Sequence, residues 1–534
     1  MPMSAPADTG AKLATNGLEG APSEVTDQSA LPKRPERGQQ IELQIDALAH
    51  GGEGVGRLGD GGYVVFVSGA VPGDRVLAEV VKRKRSYAHA RVVEILAPSP
   101  ERIAPAAKHP GVPWQVLTYE RQLQIKHEQV EDALRRIGKL DGFELQEIVP
   151  ALQQWRYRNK LEYSFGKGPA GELVCGFHAP SGWNMVEPMD DCLLASERGN
   201  RAREAALRWC REQGLLAWSR GGRPGGGRAR EQEREQQADA PAQGNARRSR
   251  EQRTGPAPDG RPFLRNLVVR EGRHSGKLQI RLVSTDGELE VGALAAALVA
   301  ELGEDTLSGV LWTRSSSLAE TTAGGETELV WGEAELPERL GPHAPAVADR
   351  PGRELDLRIS SEAFFQTNTE MAEVLYGIVT EYAALEGWER VYDLYSGIGT
   401  IALTLAPRAG ELWGIEIVEQ AVADAIAAAK RNDVTSAHFF AGDARLALPE
   451  LIERAGKPDV VVVDPPRAGL SRKVVRRIVD ASPKRIVYVS CNPTTLAPNA
   501  AQLVEAGWRL VKVRPVDMFP QTPHIECVAL LERI

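Results

Sequence analysis

Cysteine is scarce in this chain. There are five in 534 residues, Cys175, Cys192, Cys210, Cys491 and Cys527, widely spaced and with no CxxC pair. That excludes a disulfide framework and a zinc site of ordinary ligand spacing, so any cysteine that matters is expected to work alone. Long apolar runs are missing too: no uninterrupted stretch approaches the roughly 20 residues that cross a bilayer. The opening residues, MPMSAPADTGAKLATNG, lack the hydrophobic segment of a secretion signal. No membrane partner is expected, and the expected location is cytoplasmic. There is also no excess of positive charge, since 65 Lys+Arg against 72 Asp+Glu leave a formal −7. With no global basic field, any contact with nucleic acid must rest on locally grouped residues. What remains is an ordinary globular composition, 42% hydrophobic and 26% charged, over a length that implies about three or four domains.

Residues 1–37, rich in Ala, Pro, Ser, Gly and Thr, read as a disordered arm. Over residues 38–98 short alternating strands separated by glycine turns (IELQIDALA, GGYVVFV, GAVPGDRVLAEVV, AHARVVEIL) give the rhythm of a small β-barrel. Residues 118–140 carry apolar positions at helical spacing, and one amphipathic helix fits them. The region 99–354 reads as a central α/β domain. It is interrupted at 219–260 by a segment with almost no core-forming residues, expected to be a disordered insertion. From 355 to 534 apolar strands alternate with helices, the pattern of a Rossmann-like parallel sheet covered on both faces. The last two strands, WRLVKVRPV and HIECVALLERI, have no helix between them and are expected to form an antiparallel hairpin at one end of that sheet.

Chemistry concentrates at the carboxyl ends of these strands. Asp393 to Ala402 (DLYSGIGTIA) is a strand, a glycine-rich turn and a helix start, the edge at which open α/β sheets bind ligands. The loop alone does not exclude a dinucleotide. Asp393, however, puts a carboxylate where phosphates would approach, and so suits a ligand with a cationic or hydrogen-bond-donating end. About twenty residues on, Glu416 closes the next strand, where an acid can take both ribose hydroxyls. Asp443 ends the third strand and could meet an adenine amino group, while a plain helix N-cap is an equally good reading. S-adenosylmethionine satisfies all three positions, with its ribose, adenine and ammonium and no phosphate. The fourth strand ends in Asp464-Pro465-Pro466-Arg467, where two prolines stop the sheet and present an acid, in a structural or a catalytic turn. The fifth ends in Ser490-Cys491-Asn492-Pro493. A cysteine there could be inert core, but Cys491 lies at the ligand edge and before a helix N-terminus, whose dipole is expected to stabilise a thiolate.

Taken together, DLYSGIGTIAL, GIEIVEQAVADA, DPPRAGL, SCNPTTLA and MFPQTPHIECVALL resemble, in order and spacing, the TRAM-containing RNA uracil-5 methyltransferases that use S-adenosylmethionine. SEAFFQTN and the barrel segments HGGEGVGR, VFVSGAVPGDRV and KRKRSYAHARVVEIL share the resemblance, which covers nearly everything from residue 38 onward except the insertion. It implies an α/β class I methyltransferase domain behind a TRAM-like, OB-type barrel and a central α/β domain. By position it implies cofactor contacts from Gln366, Tyr395, Glu416, Asp443 and Asp464, Cys491 as nucleophile and Glu526 as base. The implied chemistry needs both catalytic groups. A thiolate adding to C6 makes C5 of uracil nucleophilic, and a base must then remove the C5 proton before the thiolate leaves.

The implied partner is RNA, with 23S ribosomal RNA favoured over tRNA because relatives acting on tRNA often lack the barrel; a monomer is expected. Two basic strips are the candidate contacts: Lys82-Arg83-Lys84-Arg85 with Tyr87, and Arg156, Arg158 and Lys160. Solvated charge runs are the bland reading of each. Phe364 and Phe365 precede Gln366, and either could stack on a nucleotide or face the core. The chain departs from the family in two places. Many relatives hold a [4Fe–4S] cluster on four cysteines; here only Cys192 corresponds, so no iron–sulfur cluster and no metal is expected. Pro498-Asn499 stands where relatives carry Arg-Asp. A non-catalytic RNA-binding relative is the alternative from another class, and retention of Asp464, Cys491 and Glu526 argues against it.

Overall fold

The computed structural model describes residues 34–59, 62–179, 182–219, 257, 259–317, 321–341 and 354–534. The expected disordered arm, apart from its last four residues, lies outside them, as does the expected insertion, apart from residues 219, 257, 259 and 260.

Five strands, Gln40–Leu48, Gly54–Leu58, Tyr63–Ser68, Arg75–Arg83 and Tyr87–Ala97, close a barrel in the order first, second, third, fifth, fourth. Strict alternation turns Ile41, Leu43, Ile45, Val65, Val67, Val76, Ala78, Val80, Ala88 and Ala90 into its interior. At its exit the fully buried Asp74 accepts from the Val71 and Ser99 amides, each at 2.8 Å, and from Arg102. Burial works against the charge of Asp74, but these donors prevail and hold its carboxyl below the usual range.

The helix expected over 118–140 runs as an α-helix only across Tyr119–Asp132 and widens into a π-turn at Ala133–Ile137. The reason is packing. A side chain at Gly138 would meet Leu134 O at 2.7 Å and Ala497 O at 3.1 Å, so the turn opens where another helix presses on it.

The central sheet runs in the order Glu326–Gly332, Leu307–Arg314, Leu278–Ser284, Phe263–Glu271, Lys160–Lys167, Leu173–Ala179, Gly182–Pro188, with Leu216–Ala217 paired to the start of Phe263–Glu271. One face packs Leu161, Tyr163, Leu267, Ile280 and Leu282 under the helices Glu197–Glu212 and Val291–Leu302. The other face is polar and holds the chain leading to the third domain. Arg270 donates to Ser360 O at 2.6 Å and Ala363 O at 3.0 Å, and Arg281 pairs with Glu362 at 3.2 Å.

The third sheet has the order Ala437–Ala441, Glu411–Glu416, Arg390–Leu394, Val460–Val463, Arg485–Ser490, Glu526–Arg533, Trp508–Val516, Glu144–Leu145. Its first five strands are parallel, and Glu526–Arg533 runs antiparallel to both neighbours. The final pair is therefore antiparallel, but it does not form the sheet's end, because Glu144–Leu145 adds outside Trp508–Val516. Alternate strand residues go to opposite faces. Val460, Val462, Val487 and Val489 pack with the helices Thr369–Ala383 and Glu419–Arg431. Val461, Val463, Ile486 and Tyr488 pack with Ala444–Ala455, Arg472–Ala481 and Pro493–Glu505. Burial on both faces is why these strands read as continuous apolar runs.

Candidate active site

After the strand Arg390–Leu394 the chain turns so sharply that Tyr395 takes φ +69° and the amides of Tyr395 and Ser396 both reach Ile415 O, at 2.9 and 3.1 Å. A side chain at Gly399 (φ +81°) would strike the Phe439 ring at 2.8 Å, whereas one at Gly397 would meet nothing within 4 Å. The loop is thus closed behind and open at Gly397. Gly397 N donates to Glu416 Oε2 at 3.1 Å, and Glu416 Oε1 accepts from Ile417 N (2.8 Å) and Val418 N (3.0 Å), which aims the carboxylate beside the loop. Ile417 and Val418 are 65% and 53% exposed, an apolar flank next to an acid.

Beneath the loop Asp393 is fully buried, and neither of its carboxylate oxygens nor Ser396 Oγ has a hydrogen-bond partner. Burial first, then the neighbouring Asp464, push the Asp393 carboxyl up to about 8; the Ala402 amide opposes them. A buried acid opposed only by the Ala402 amide among the described residues is what a ligand carrying a cationic or N–H end would satisfy. Asp443 is the N-cap of Ala444–Ala455. It accepts from Arg445 N at 2.9 Å and forms a bidentate pair with the Arg445 side chain, which holds its carboxyl below the usual range. Of its two readings, the cap is the one its contacts within the chain display.

Asp464, Cys491 and Glu526 come together at the ends of neighbouring strands. The register Ser490↔Cys527 sets Cys491 and Glu526 side by side. Cys491 is half-buried, whereas the other four cysteines are buried. Glu526 is only 4% exposed and makes no side-chain hydrogen bond among the described residues, while its neighbour Cys527 turns fully into the core. Burial raises the Asp464 carboxyl to about 7. Burial and then Asp464 raise Glu526 well above the carboxylate range.

The expected thiolate is corrected here: burial, then Glu526 and Asp464, push the Cys491 thiol up to about 11, with Arg467 opposing. The helix start at Pro493, already capped by Asn492, does not reverse this, since burial and the two carboxylates outweigh it.

Gln366 is 6% exposed and comes from the loop before Thr369–Ala383. Its side chain makes no hydrogen bond to the other six candidate residues, and the loop itself is latched from the central domain. Asn159 Nδ2 donates to Gln366 O and Thr369 Oγ1, each at 2.8 Å, and Asn159 N to Thr367 O at 2.9 Å. Sequence reasoning missed Asn159, whose signal was a lone amide in the WRYRNK strip. Next to Gln366, Phe365 is core and Phe364 is 68% exposed. Asn499 was missed as well. Its amide joins the fourth- and fifth-strand motifs, accepting from Leu470 N (2.8 Å) and Tyr488 OH (3.0 Å) and donating to Leu470 O (3.0 Å), which accounts for the helix packing at Pro498-Asn499.

Lys82, Arg83, Lys84 and Arg85 are all exposed, with no ion pair among the described residues. Beside them Phe66, Tyr87 and His89 form a ring cluster with centroids 5.5–5.6 Å apart. The second strip is largely neutralised: Arg156 is bidentate to Asp191 (3.0 and 2.7 Å) and Lys160 pairs with Glu162 (2.7 Å), leaving Arg158 stacked over Phe519 at 5.7 Å.

The residues present do not fit a four-thiolate cluster. Cys192 is a lone buried thiol 3.2 Å from His109 Nε2, with Tyr163 and Phe177 packed alongside. Among the described residues no three His, Cys, Asp or Glu side chains gather as metal ligands, and no helix is long and apolar enough to cross a membrane.

A parallel sheet with a glycine turn, an acid closing the next strand and a DPP turn defines a class I methyltransferase domain, here behind an OB-type barrel. Residues 34–93 match the TRAM domain and residues 346–534 the tRNA (uracil-5-)-methyltransferase family. The chain is 32% identical over 496 residues to an uncharacterized RNA methyltransferase of Halalkalibacterium halodurans, covering 92% of this chain and 96% of that one. It is 35% identical over 507 residues to another from Thermosynechococcus vestitus, covering 93% and 98%. Among solved structures, the Pyrococcus abyssi tRNA (uracil-54, C5)-methyltransferase in complex with S-adenosyl-L-homocysteine aligns with a TM-score of 0.67 at 25% identity, over 92% of this chain and 99% of that one. The chain belongs to the TRAM-containing RNA uracil-5 methyltransferase family.

Proposed function

We propose that the protein uses S-adenosylmethionine to methylate C5 of a uridine in RNA through a covalent Cys491 adduct. The observation that carries this reading is the side-by-side placement of one half-exposed thiol and a buried, unpartnered glutamate at the ligand edge of the sheet. The cofactor, when bound, supplies an electrophilic methyl group. Glu416 would take its ribose, Asp443 would meet the adenine end, Gln366 and Tyr395 would contact the cofactor as well, and Asp464 would stand at the junction of cofactor and substrate. The unpartnered Asp393 oxygens and the open side of Gly397 suit such a ligand.

Cys491 adds its sulfur to C6 as its proton passes to an adjacent carboxylate; Asp464, at about 7, is available for this near neutral pH. The C5–C6 electron pair moves toward C4=O and returns through C5 to bond the methyl carbon, whose bond to the cofactor's sulfonium sulfur would break with that pair staying on sulfur, so that S-adenosylhomocysteine would be the leaving group. Glu526 removes the C5 proton, the double bond re-forms and the sulfur leaves. Burial makes Glu526, once ionised, a stronger base than an ordinary glutamate.

The free basic run and ring cluster on the barrel support RNA as the partner, since unpaired cations and aromatic faces are what a strand's phosphates and bases engage. The barrel suggested ribosomal RNA. A tRNA enzyme that aligns over 92% of this chain favours tRNA as the second reading. Nucleoside mass spectrometry on separated rRNA and tRNA from a deletion strain tests both. Loss of 5-methyluridine from one fraction, restored by the wild-type gene and not by Cys491→Ala, is expected; unchanged 5-methyluridine in both would refute the proposal.

A further inference from the structure

The barrel reaches the catalytic edge. Its turn at residues 49–53 is closed by Ala49 N to Glu53 O (2.8 Å) and Gly52 N to Ala49 O (2.9 Å) and lies on the loop that delivers Glu526. A side chain at Gly52 (φ +90°) would strike Pro523 at 2.9 Å and Trp114 Nε1 at 3.1 Å. This contact sets the exposed His50, two residues before Gly52, near His524, which follows Pro523.

The loop beneath is rigid. Lys126 and Asp517, both fully buried, pair at 2.6 Å; Tyr119 OH donates to Asp517 at 2.9 Å, Gln122 and Gln521 exchange hydrogen bonds at 2.8 and 2.9 Å, and Tyr157 OH donates to Pro520 O at 3.1 Å.

On this platform the positive groups at the surface make no ion pair of their own, although Arg467 acts on Glu526 in the pocket and Lys126 is paired with Asp517 in the core. Arg467, from the DPPR turn, is exposed and lies 3.1 Å from His524 Nδ1. Arginine can only donate, so Nδ1 accepts and the His524 proton sits on Nε2, which has no partner among the described residues. Neither Arg467 nor Arg158 has an ion-pair partner within 4.0 Å among the described residues. The two histidines feel the crowding: His524 is pushed down to about 4 by burial and by Arg467, Arg158, Lys126 and His50, and His50 is lowered by burial and Arg467. Uncompensated guanidinium groups beside N–H donors, at the rim of a pocket whose floor is acidic, form a place for an anion that must not enter the pocket itself.

The geometry points to a phosphodiester seat at the mouth of the active site, built by His50 of the barrel with Arg158, Arg467 and His524, that holds a backbone phosphate next to the uridine delivered to Cys491. This rests on the RNA-methylation reading. It makes the barrel a wall of the active site and His50 a positioning residue.

The test pairs binding with turnover. Binding of a fluorescein-labelled oligouridylate is measured against salt, and methyl transfer to total RNA from a deletion strain is measured for wild type, His50→Ala, His50→Gln, Arg158→Gln and Arg158→Lys. Arg158→Gln should flatten the log K against log salt slope by about 0.7, one single-strand phosphate contact, and Arg158→Lys should restore it. His50→Ala should raise KM for RNA roughly ten- to a hundredfold with kcat within about twofold, as loss of one hydrogen bond to a charged group does. His50→Gln, which keeps an N–H donor, should recover most of the loss. An unchanged slope in Arg158→Gln together with an unchanged KM in His50→Ala, in a protein that methylates RNA, would overturn the seat. A wild type that methylates no RNA, while Arg158→Gln still flattens the slope, would keep the seat and overturn the methylation reading.

Discussion

Glu526→Gln should make Cys491 a more reactive thiol and the protein a worse enzyme. The Cys491 thiol is raised from the ordinary 9.0 to about 11 by burial first and then by the Glu526 and Asp464 carboxylates. Below pH 9 the two-unit rise leaves about 100-fold less thiolate than an exposed cysteine has. The greater nucleophilicity of a high-pKa sulfur recovers about tenfold of that, with a Brønsted slope of about 0.4–0.5. Alkylation by iodoacetamide should therefore run about tenfold slower than in an unstructured peptide and keep rising with pH beyond 10. The four other cysteines are buried, so one thiol per native chain should react, and mass spectrometry of the peptide containing Cys491 reads it directly.

Removing one of the two carboxylates returns only part of the shift, because burial is the larger cause. Glu526→Gln should speed alkylation at high pH and lower its midpoint by part of the rise, while turnover falls. A rate that already levels off by pH 8 in the wild type would mean that the helix start stabilises the thiolate after all. Slower alkylation in Glu526→Gln would show that Glu526 does not face the sulfur.

Other outcomes follow from the same geometry. Glu526→Gln should accumulate a methylated RNA–protein adduct, visible with a radiolabelled methyl donor on denaturing gels, whereas Cys491→Ala should show neither adduct nor methylation; normal turnover in Glu526→Gln refutes the base. Glu416→Ala should weaken S-adenosylhomocysteine binding by about 1–3 kcal/mol in calorimetry, the cost of hydrogen bonds to a charged group; saturable NAD binding in its place would refute the cofactor reading. Lys126→Met strands the fully buried Asp517 charge and should cost about 3–5 kcal/mol in chemical denaturation, with Lys126→Met/Asp517→Leu costing markedly less; equal costs would show that the pair is not coupled. Deleting residues 220–256 behind a short linker should leave the melting temperature and turnover intact, because Leu216–Ala217 already pairs with Phe263 and Leu264 and Trp218 N bonds Leu264 O at 2.7 Å; a chain that fails to fold would place structure in the deleted segment.

Much of this protein was legible in one dimension. Valine-rich strands such as Val460–Val463 announce a sheet buried on both faces, the alternation of Ile41, Leu43 and Ile45 announces the barrel wall, and each motif residue stands at a strand end because side-chain period and strand length place it there. Identity and order of motifs along the chain are local properties, and the family resemblance they carry is what implied Asp464, Cys491 and Glu526 as a set. Their electrostatics could not be read that way. The raised thiol of Cys491 comes first from burial and then from Glu526 and Asp464, 35 and 27 positions away along the chain and brought beside it by strand pairing, and none of these is visible in the helix start alone. The same holds for Asn159, which clamps the Gln366 loop from another domain, and for Asn499, which ties two motifs together through three hydrogen bonds. It holds too for the basic strip at residues 156–160, where Asp191 and Glu162 neutralise Arg156 and Lys160 and leave Arg158. Hydrophobic pattern is written in sequence because burial repeats with the period of each element; charge, hydrogen bonding and the meeting of His50 with His524 arise between elements, and only the folded chain brings those partners within reach.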